Sequence, residues 1–410
     1  MFEELKELSQ TFIKLKFEQY RRYFIETKSL KHRFSIILGE RGIGKTTTLI
    51  QYLLDSTDQN PLSETILYIQ ADHFLMGKTT LYEIAETFSR LGGKVIAFDE
   101  IHKYQNWSME LKSIYDTFVD LRILASGSSA LEIHKGSHDL TRRAIVYHMF
   151  GLSLREFIEL KYGLELPTYS LEEVVLGHTK LAFNLTEQLD QHKLKILKLF
   201  SEYLEYGYYP YFRSFDSIDE FKITVEQNLH TTLESDLVAI YPHLSGNSIK
   251  KIKQLITYLA QTVPFTPNWQ AIKKMTDIGD DRTLKTYFNY LQDASIIQGI
   301  ETGTDKIKRI EVPEKIFLAN TNQLYAYCSM HPNIGTVRET FFLSSLRPLY
   351  NVATAKNTDF FVEKKYFFEV GGKNKGLKQL GHNDNGYLAL DDIEHGVDRR
   401  IPLWLFGFLY

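Results

Sequence analysis

The chain has 410 residues, 43% of them hydrophobic and 24% charged, with a net charge of -3. That length suits about two to four domains and several buried cores, and the charge excludes a polycation that grips nucleic acid over its whole surface, so any such contact comes from a local patch. A single cysteine, Cys328, excludes an internal disulfide framework and a cysteine-based zinc site, and it fits a reducing compartment.

Residues 1–30 are predicted as an N-terminal helix rich in Phe, Tyr and Lys. Its first twenty residues mix charged and apolar side chains, so they are not read as a signal peptide. No apolar run approaches the roughly 18 residues of a membrane helix; a cytoplasmic protein without membrane contact is expected. From residue 34 the texture changes. "FSIIL", "TILYIQA", "KVIAFD", "LRILAS" and "AIVYHM" are short apolar or β-branched runs, mostly separated by helical stretches such as "LYEIAETFSRL". Strands alternating with helices predict a parallel sheet covered on both faces, an α/β core over 31–163. Residues 164–245 read as a helical lid or linker. Residues 246–310 hold three helical stretches and a strand-like tail, and 311–410 are β-rich again. The final "IPLWLFGFLY" is expected to be a buried strand.

"ILGERGIGKTTTLI" (37–50) places a strand, a glycine-rich loop and a helix in succession. Gly39-x-x-x-x-Gly44-Lys45-Thr46 is the P-loop pattern. Glycines let the backbone curl so that N–H groups of Gly39, Glu40, Arg41, Gly42, Ile43, Gly44, Lys45, Thr46 and Thr47 point inward at phosphate oxygens. The helix that follows adds the positive end of its dipole. Lys45 is expected on the β- and γ-phosphates of ATP and the Thr46 hydroxyl on Mg²⁺.

An independent signal is "GGKVIAFDEIHKYQNW" (92–107), an apolar strand ending in Asp99 and Glu100. Ligands of parallel sheets bind at the C-terminal ends of the strands. Asp99 is therefore expected to position magnesium and Glu100 to polarise a water for attack on the γ-phosphate. No N-K-x-D guanine signature is present, and D-E-I-H matches a helicase box without a second nucleotide-binding lobe. "RILASGSSA" (122–130) is a further strand; Ser126 or Ser128 either senses the γ-phosphate or belongs to a turn of small residues. Arg142 and Arg143, before the fifth strand, either stabilise transition-state charge, within the chain or across to a neighbour, or form a solvated or carboxylate-paired cluster. His102 and Trp107 read as shape and packing residues.

"LGERGIGKTT", "FDEIHKYQNW", "ILASGSSAL", "LTRRAIVYH" and "GLSLREF" together resemble a group of prokaryotic AAA-type ATPases with a domain of unknown function after the ATPase core. The likeness continues through "EYLEYGYYPYF", "KIFLANTNQLYA" and "RETFF", so it covers nearly the whole chain. It implies an AAA-type core, a winged-helix module, a C-terminal nuclease-like fold, and ATP binding and hydrolysis. The chain departs from ring-forming members in lacking an evident second-region arginine finger, so a homo-oligomer is an open expectation and a hexamer does not follow.

The trailing regions have chemistry of their own. In 246–310, "RTLKTYFNYLQDA" suits the third, recognition-type helix of a winged helix, with Leu284, Phe288 and Leu291 as its buried stripe. Lys273, Lys274, Arg282 and Lys285 are the candidate DNA contacts in a segment with ten Lys or Arg against six Asp or Glu. Asp280 and Asp281 cap that helix and oppose DNA. Residues 311–410 resemble the nuclease fold with a D…E-x-K core. Glu339, Asp359 and Glu369 are its candidate carboxylates. Gly371 stands where the lysine belongs, so Lys373 or Lys375 is expected to reach in from a displaced position; the competing reading is a degenerate scaffold. The favoured function is Mg-dependent ATP hydrolysis coupled to a DNA or protein partner. The alternatives are a nucleotide-gated DNA nuclease of a defence or mobile-element system, and an ATP-binding interaction protein that does not turn over.

Overall fold

A computed structural model describes the chain except residues 129–139, 141, 263–268, 302–312, 329–330, 356–357 and 381–382; Ser129 of the candidate serine turn lies outside the described residues. The chain divides into two compact units. One comprises Met1–Gly151 and Thr231–His243, the other Leu152–His230 and Leu244–Tyr410. The boundaries expected at 163 and 245 differ from this division, because residues 152–163 belong to the second unit and a short stretch of the helical region, Thr231–His243, packs with the first.

The first unit opens with α1 (Phe2–Leu15) and α2 (Tyr23–Thr27), not the single helix expected over 1–30. Leu5, Ser9 and Ile13 form one buried stripe, and Ser9 accepts a hydrogen bond from the backbone of Tyr68. Beyond Leu15 the carbonyls of Glu18 and Tyr20 accept from Gln51 Nε2 at 2.7 and 2.9 Å, which replaces helical bonding and turns the chain. There follow β1 (Phe34–Gly39), α3 (Lys45–Asp55), β2 (Ile66–Gln70), α4 (Leu81–Arg90), β3 (Val95–Asp99), α5 (Trp107–Thr117), β4 (Arg122–Ser128) and β5 (Ile145–His148). The five strands form a parallel sheet of order β2-β3-β4-β1-β5. Strands β1 and β3 are buried along their whole length, which is why they read as unbroken apolar runs. The register pairs Gly39 with Ser128 and Gln70 with Asp99, so the functional ends of β1, β3 and β4 share one edge.

The second unit contains α6 (Leu154–Tyr162), α7 (Leu171–Gln191), α8 (Ile196–Glu202) and α9 (Ile218–Thr231). The chain then returns to the first unit for a π-helical turn, Thr232–Asp236, and α10 (Leu237–Ile240). Back in the second unit, α11 (Gly246–Thr262), α12 (Trp269–Thr276) and α13 (Asp281–Asp293) precede an antiparallel pair, β6 (Ile297–Ile300) and β7 (Lys315–Leu318). Next come α14 (Thr321–Tyr327), α15 (Ile334–Leu346), β8 (Val352–Ala355), β9 (Thr358–Val362), β10 (Tyr366–Gly372), β11 (Gly386–Asp391) and β12 (Arg400–Pro402). These last five strands form a mixed sheet of order β12-β11-β10-β9-β8. Phe342 of α15 packs on Phe360, Phe368 and Phe406 with ring centroids 5.0, 5.1 and 4.8 Å apart. The C-terminal tail is buried as expected, but only Arg400–Pro402 is strand; Leu403–Phe408 is a 3-10 helix. Its apolar residues are consecutive, and a turn of helix buries them on all sides where an edge strand would expose every second one.

Candidate nucleotide-binding site

The loop between β1 and α3 needs its three glycines for two separate reasons. Gly42 and Gly44 have φ of 83° and 102°, a region that strains any residue with a Cβ. At Gly39 the reason is space. A Cβ there would lie 2.4 Å from the Met149 carbonyl oxygen and 2.4 Å from Ile43 Cδ1. The buried guanidinium of Arg22 braces the loop from behind, donating to the carbonyls of Ile43, Phe150 and Gly151 at 3.0, 3.0 and 2.7 Å. Arg22 therefore ties the P-loop to the chain leaving β5.

Lys45 opens α3 and is buried. Its Nζ donates to the carbonyls of Gly39 and Glu40 at 2.9 and 2.8 Å, so it lies folded over the loop it serves. Burial pushes its pKa down, against the pull of Glu100 and Asp99. Thr46 Oγ1 donates to Asp99 Oδ2 at 2.6 Å, which joins the loop to the end of β3. The same oxygen accepts from the Tyr68 hydroxyl at 2.6 Å. Asp99 Oδ1 accepts from Ser126 Oγ, and from the Glu100 N–H at 3.1 Å. Burial, helped by the Asp99 charge, raises the Tyr68 pKa and keeps the phenol protonated as a donor.

Glu100 is half-buried with a φ of 53°. For a non-glycine residue this left-handed conformation costs about 1–2 kcal/mol. The Glu100 N–H donates to Asp99 Oδ1 and, at 3.2 Å, to Ser126 Oγ, which fixes the bend and turns the side chain off the strand axis. Ser126 thus shapes the Asp99–Glu100 corner. Ser128 contributes its backbone, donating to His102 Nδ1 at 3.3 Å. His102, read from the sequence as a packing residue, has its Nε2 3.7 Å from Glu100 Oε2 and 3.5 Å from Asp236 Oδ1. Burial works to raise Asp236, but the His102 ring, Arg41 and Lys103 hold it below the usual carboxylate range.

Arg143 is the exception among the expected residues. Pairing of Ser35 with Ile145 puts it level with Arg33, at the start of β1. The six residues of β1 separate that level from the P-loop by roughly 20 Å. Its guanidinium instead forms a two-point pair with Asp116 on α5, at 2.8 and 2.9 Å. An in-chain contact with a triphosphate at the loop is therefore excluded. Tyr68, Arg22, His102 and Asp236 are the residues that sequence reasoning missed.

In the second unit, Glu339, Asp359 and Glu369 do converge, but on two lysines. Lys375 Nζ lies 2.6 Å from Glu369 Oε2 and 3.0 Å from Asp359 Oδ2. Lys315 Nζ lies 3.3 Å from Asp359 Oδ1 and 3.6 Å from Glu339 Oε2. A Cβ on Gly371 would lie 2.3 Å from Lys375 Cδ, so the missing side chain is what lets Lys375 fold back across β10. Lys373, the other candidate, is exposed and is not part of this cluster. Burial and the Asp359 charge push Glu339 up to about 7. Burial would raise Asp359 too, but Lys315 and Lys375 hold it low. Lys375→Met is expected to destabilise this unit by about 3–5 kcal/mol, because it strands the buried carboxylate of Glu369. Denaturant unfolding checks this; a loss below about 1 kcal/mol, the range of an exposed pair, would contradict it.

On α13, Leu284, Phe288 and Leu291 form the expected buried stripe. Asp280 caps the helix, accepting from the Thr283 N–H at 2.8 Å. Lys274, Arg282 and Lys285 are exposed. Lys273 is not free for phosphate, because it pairs with Asp281 at 2.7 Å.

With this geometry in place, residues 31–158 match the family described as AAA domain. The segment is an AAA-type P-loop ATPase domain. A second match, to a domain of unknown function (DUF8612), covers residues 197–331, upstream of the sheet that the sequence resemblance singled out. The Methanocaldococcus jannaschii protein MJ1637 is 29% identical over 181 residues, covering 42% of this chain and 35% of MJ1637. MJ1544 of the same organism is 21% identical over 436 residues, covering 94% of this chain and 90% of MJ1544. Among solved structures, Thermotoga maritima RuvB covers 72% of this chain and 89% of its own at 14% identity and a TM-score of 0.26. AMPPCP-bound DnaA from Aquifex aeolicus covers 70% and 80% at 17% identity and a TM-score of 0.29. Among the described residues no helix is long and apolar enough to cross a membrane.

Proposed function

We propose that the AAA domain binds Mg·ATP at Gly39–Thr47 and hydrolyses it. The observation that carries this reading is the hydrogen bond from Thr46 to Asp99, which brings the hydroxyl and carboxylate expected on magnesium to one point beside Lys45. The residues fit that ion, because Asp99 and Thr46 supply hard oxygen donors, the class magnesium takes. Held by Thr46 and Asp99, magnesium would supply charge neutralisation for the triphosphate. Lys45 leaves its two carbonyl acceptors for the phosphate oxygens, and the P-loop N–H groups orient the triphosphate. Glu100 accepts a proton from the attacking water, held at the strand edge by its own N–H bonds.

The second unit is the part proposed to read the nucleotide state, and for a partner, DNA or protein, to feel it the two states must bind that partner differently. The sequence of α11, α12, α13 and the β6–β7 pair suits a winged helix, with Lys274, Arg282 and Lys285 as its candidate phosphate contacts. Phosphate release by the purified chain, with and without duplex DNA, tests both parts. Turnover with ATP and Mg²⁺ is expected, with a rate that changes on adding DNA; no turnover contradicts hydrolysis, and a rate indifferent to DNA points to a protein partner. The second reading, a nucleotide-gated nuclease, is favoured by Lys375 standing in at Gly371 beside Asp359 and Glu369. Plasmid cleavage with Mg²⁺ or Mn²⁺ that is lost in Asp359→Ala would support it, whereas an intact plasmid leaves the cluster as a structural network.

A further inference from the structure

The buried polar pair behind Glu100 has no counterpart in the P-loop chemistry described so far. His102 sits in the single 3-10 turn Ile101–Lys103 that follows Glu100, with its side chain fully buried. Its Nδ1 accepts the Ser128 N–H, so a neutral ring carries its proton on Nε2. That Nε2 faces two carboxylates, Asp236 at 3.5 Å and Glu100 at 3.7 Å. Both distances are too long for a hydrogen bond. Nε2 and Asp236 Oδ1 are each buried without a hydrogen-bond partner among the described residues. A purely structural pair would be closed, since open buried polar atoms are costly. A ring displaced by about half an ångström completes one bond or the other.

Asp236 reaches this position by an unusual path. It is 1% exposed and lies on the π-helical turn of Thr231–His243, a stretch that packs in the first unit while the chain on either side of it belongs to the second. Ile240, four residues on, packs against the hydrophobic core of the parallel sheet. Other charges near Glu100 are Lys103, at 3.8 Å and itself paired with Asp72 at 2.5 Å, and the buried Lys45, drawn to Glu100 electrostatically.

We infer that His102 and Asp236 are positioning residues for Glu100: the ring, anchored by Ser128 and backed by Asp236, sets the direction of the Glu100 carboxylate toward the attacking water. Asp236 thereby gives the segment 231–243 a hold on the hydrolytic step. This rests on the reading that Glu100 activates water, and the test keeps the two apart. ATP turnover and Mg·ATP affinity are measured for Asp236→Asn, His102→Leu and His102→Gln, each alone and combined with Glu100→Gln.

Asp236→Asn and His102→Leu are expected to lower kcat by about 10- to 100-fold through misplacement of Glu100, with KM and affinity unchanged within about twofold. His102→Gln, which keeps a donor, recovers part of the rate. In the Glu100→Gln background neither change lowers the residual rate further, since residues acting through one group are not additive. The isosteric Asp236→Asn carries the test if His102→Leu does not fold. If Glu100→Gln is inactive while Asp236→Asn matches the parent, or if losses add in the double variant, the inference is overturned alone. If Glu100→Gln matches the parent, the hydrolytic reading falls and takes this inference with it.

Discussion

Glu100→Gln is expected to lower ATP turnover about 100- to 10,000-fold, the range for loss of a positioned general base, and to leave Mg·ATP affinity within about twofold. The two effects separate because different atoms carry them. The bend at Glu100 is held by its backbone N–H, which donates to Asp99 and Ser126, and the substitution leaves these bonds in place. Asp99 keeps its bonds from Thr46 and Tyr68, so the oxygens proposed to face magnesium do not move. Only the ability to take a proton from water is lost, since an amide has almost the shape of the carboxylate without its basicity. Single-turnover phosphate release and equilibrium nucleotide binding on the same preparation check this. Parent-like turnover would remove Glu100 from the mechanism.

Lys45→Ala has the opposite signature. Its ammonium is the one basic side chain of the P-loop that is fully enclosed, folded onto the Gly39 and Glu40 carbonyls. Removing it leaves those carbonyls without their donor and deprives the triphosphate of its cation. Truncating one partner of a buried, hydrogen-bonded charge pair costs about 2–5 kcal/mol, or roughly 30- to 5000-fold in affinity. Turnover is expected to fall with occupancy, and Mg·ATP is expected to stop raising the melting temperature, since a ligand stabilises only the state it binds. Affinity within about threefold of the parent, a change worth under 1 kcal/mol, would show that the lysine does not face the phosphates.

The parts of this architecture that were legible in the sequence are those written in local pattern. Each of the five strands of the parallel sheet coincides with an apolar run to within about two residues, and β1 and β3, buried along their whole length, show why: strands buried on both faces carry no polar alternation. The P-loop was legible because Gly42 and Gly44 need left-handed backbone and Gly39 has no room for a Cβ. Asp99 and Glu100 were legible because a parallel strand delivers its last residues to the ligand edge. Tyr68 and Arg22 were not, since each meets the site only once strand order and the return of the chain past β5 are fixed. Asp236 is further still from any local signal; it arrives from beyond α9 by tertiary packing alone. An in-chain role for Arg143 at the loop fails, because a residue before a parallel strand lies at the end of the sheet away from the ligand edge, whereas its pairing with a carboxylate, Asp116, agrees with the other reading. Lys375 in place of Lys373 turns on how closely a side chain can cross Gly371, which spacing does not encode.

Calorimetric titration of the parent chain with Mg·ATP tests most directly whether the loop at Gly39–Thr47 grips a triphosphate. The expected result is saturable heat with one nucleotide per chain, weakened or abolished when ADP already fills the site. An absence of heat at every temperature tried, together with no shift in melting temperature, would contradict it.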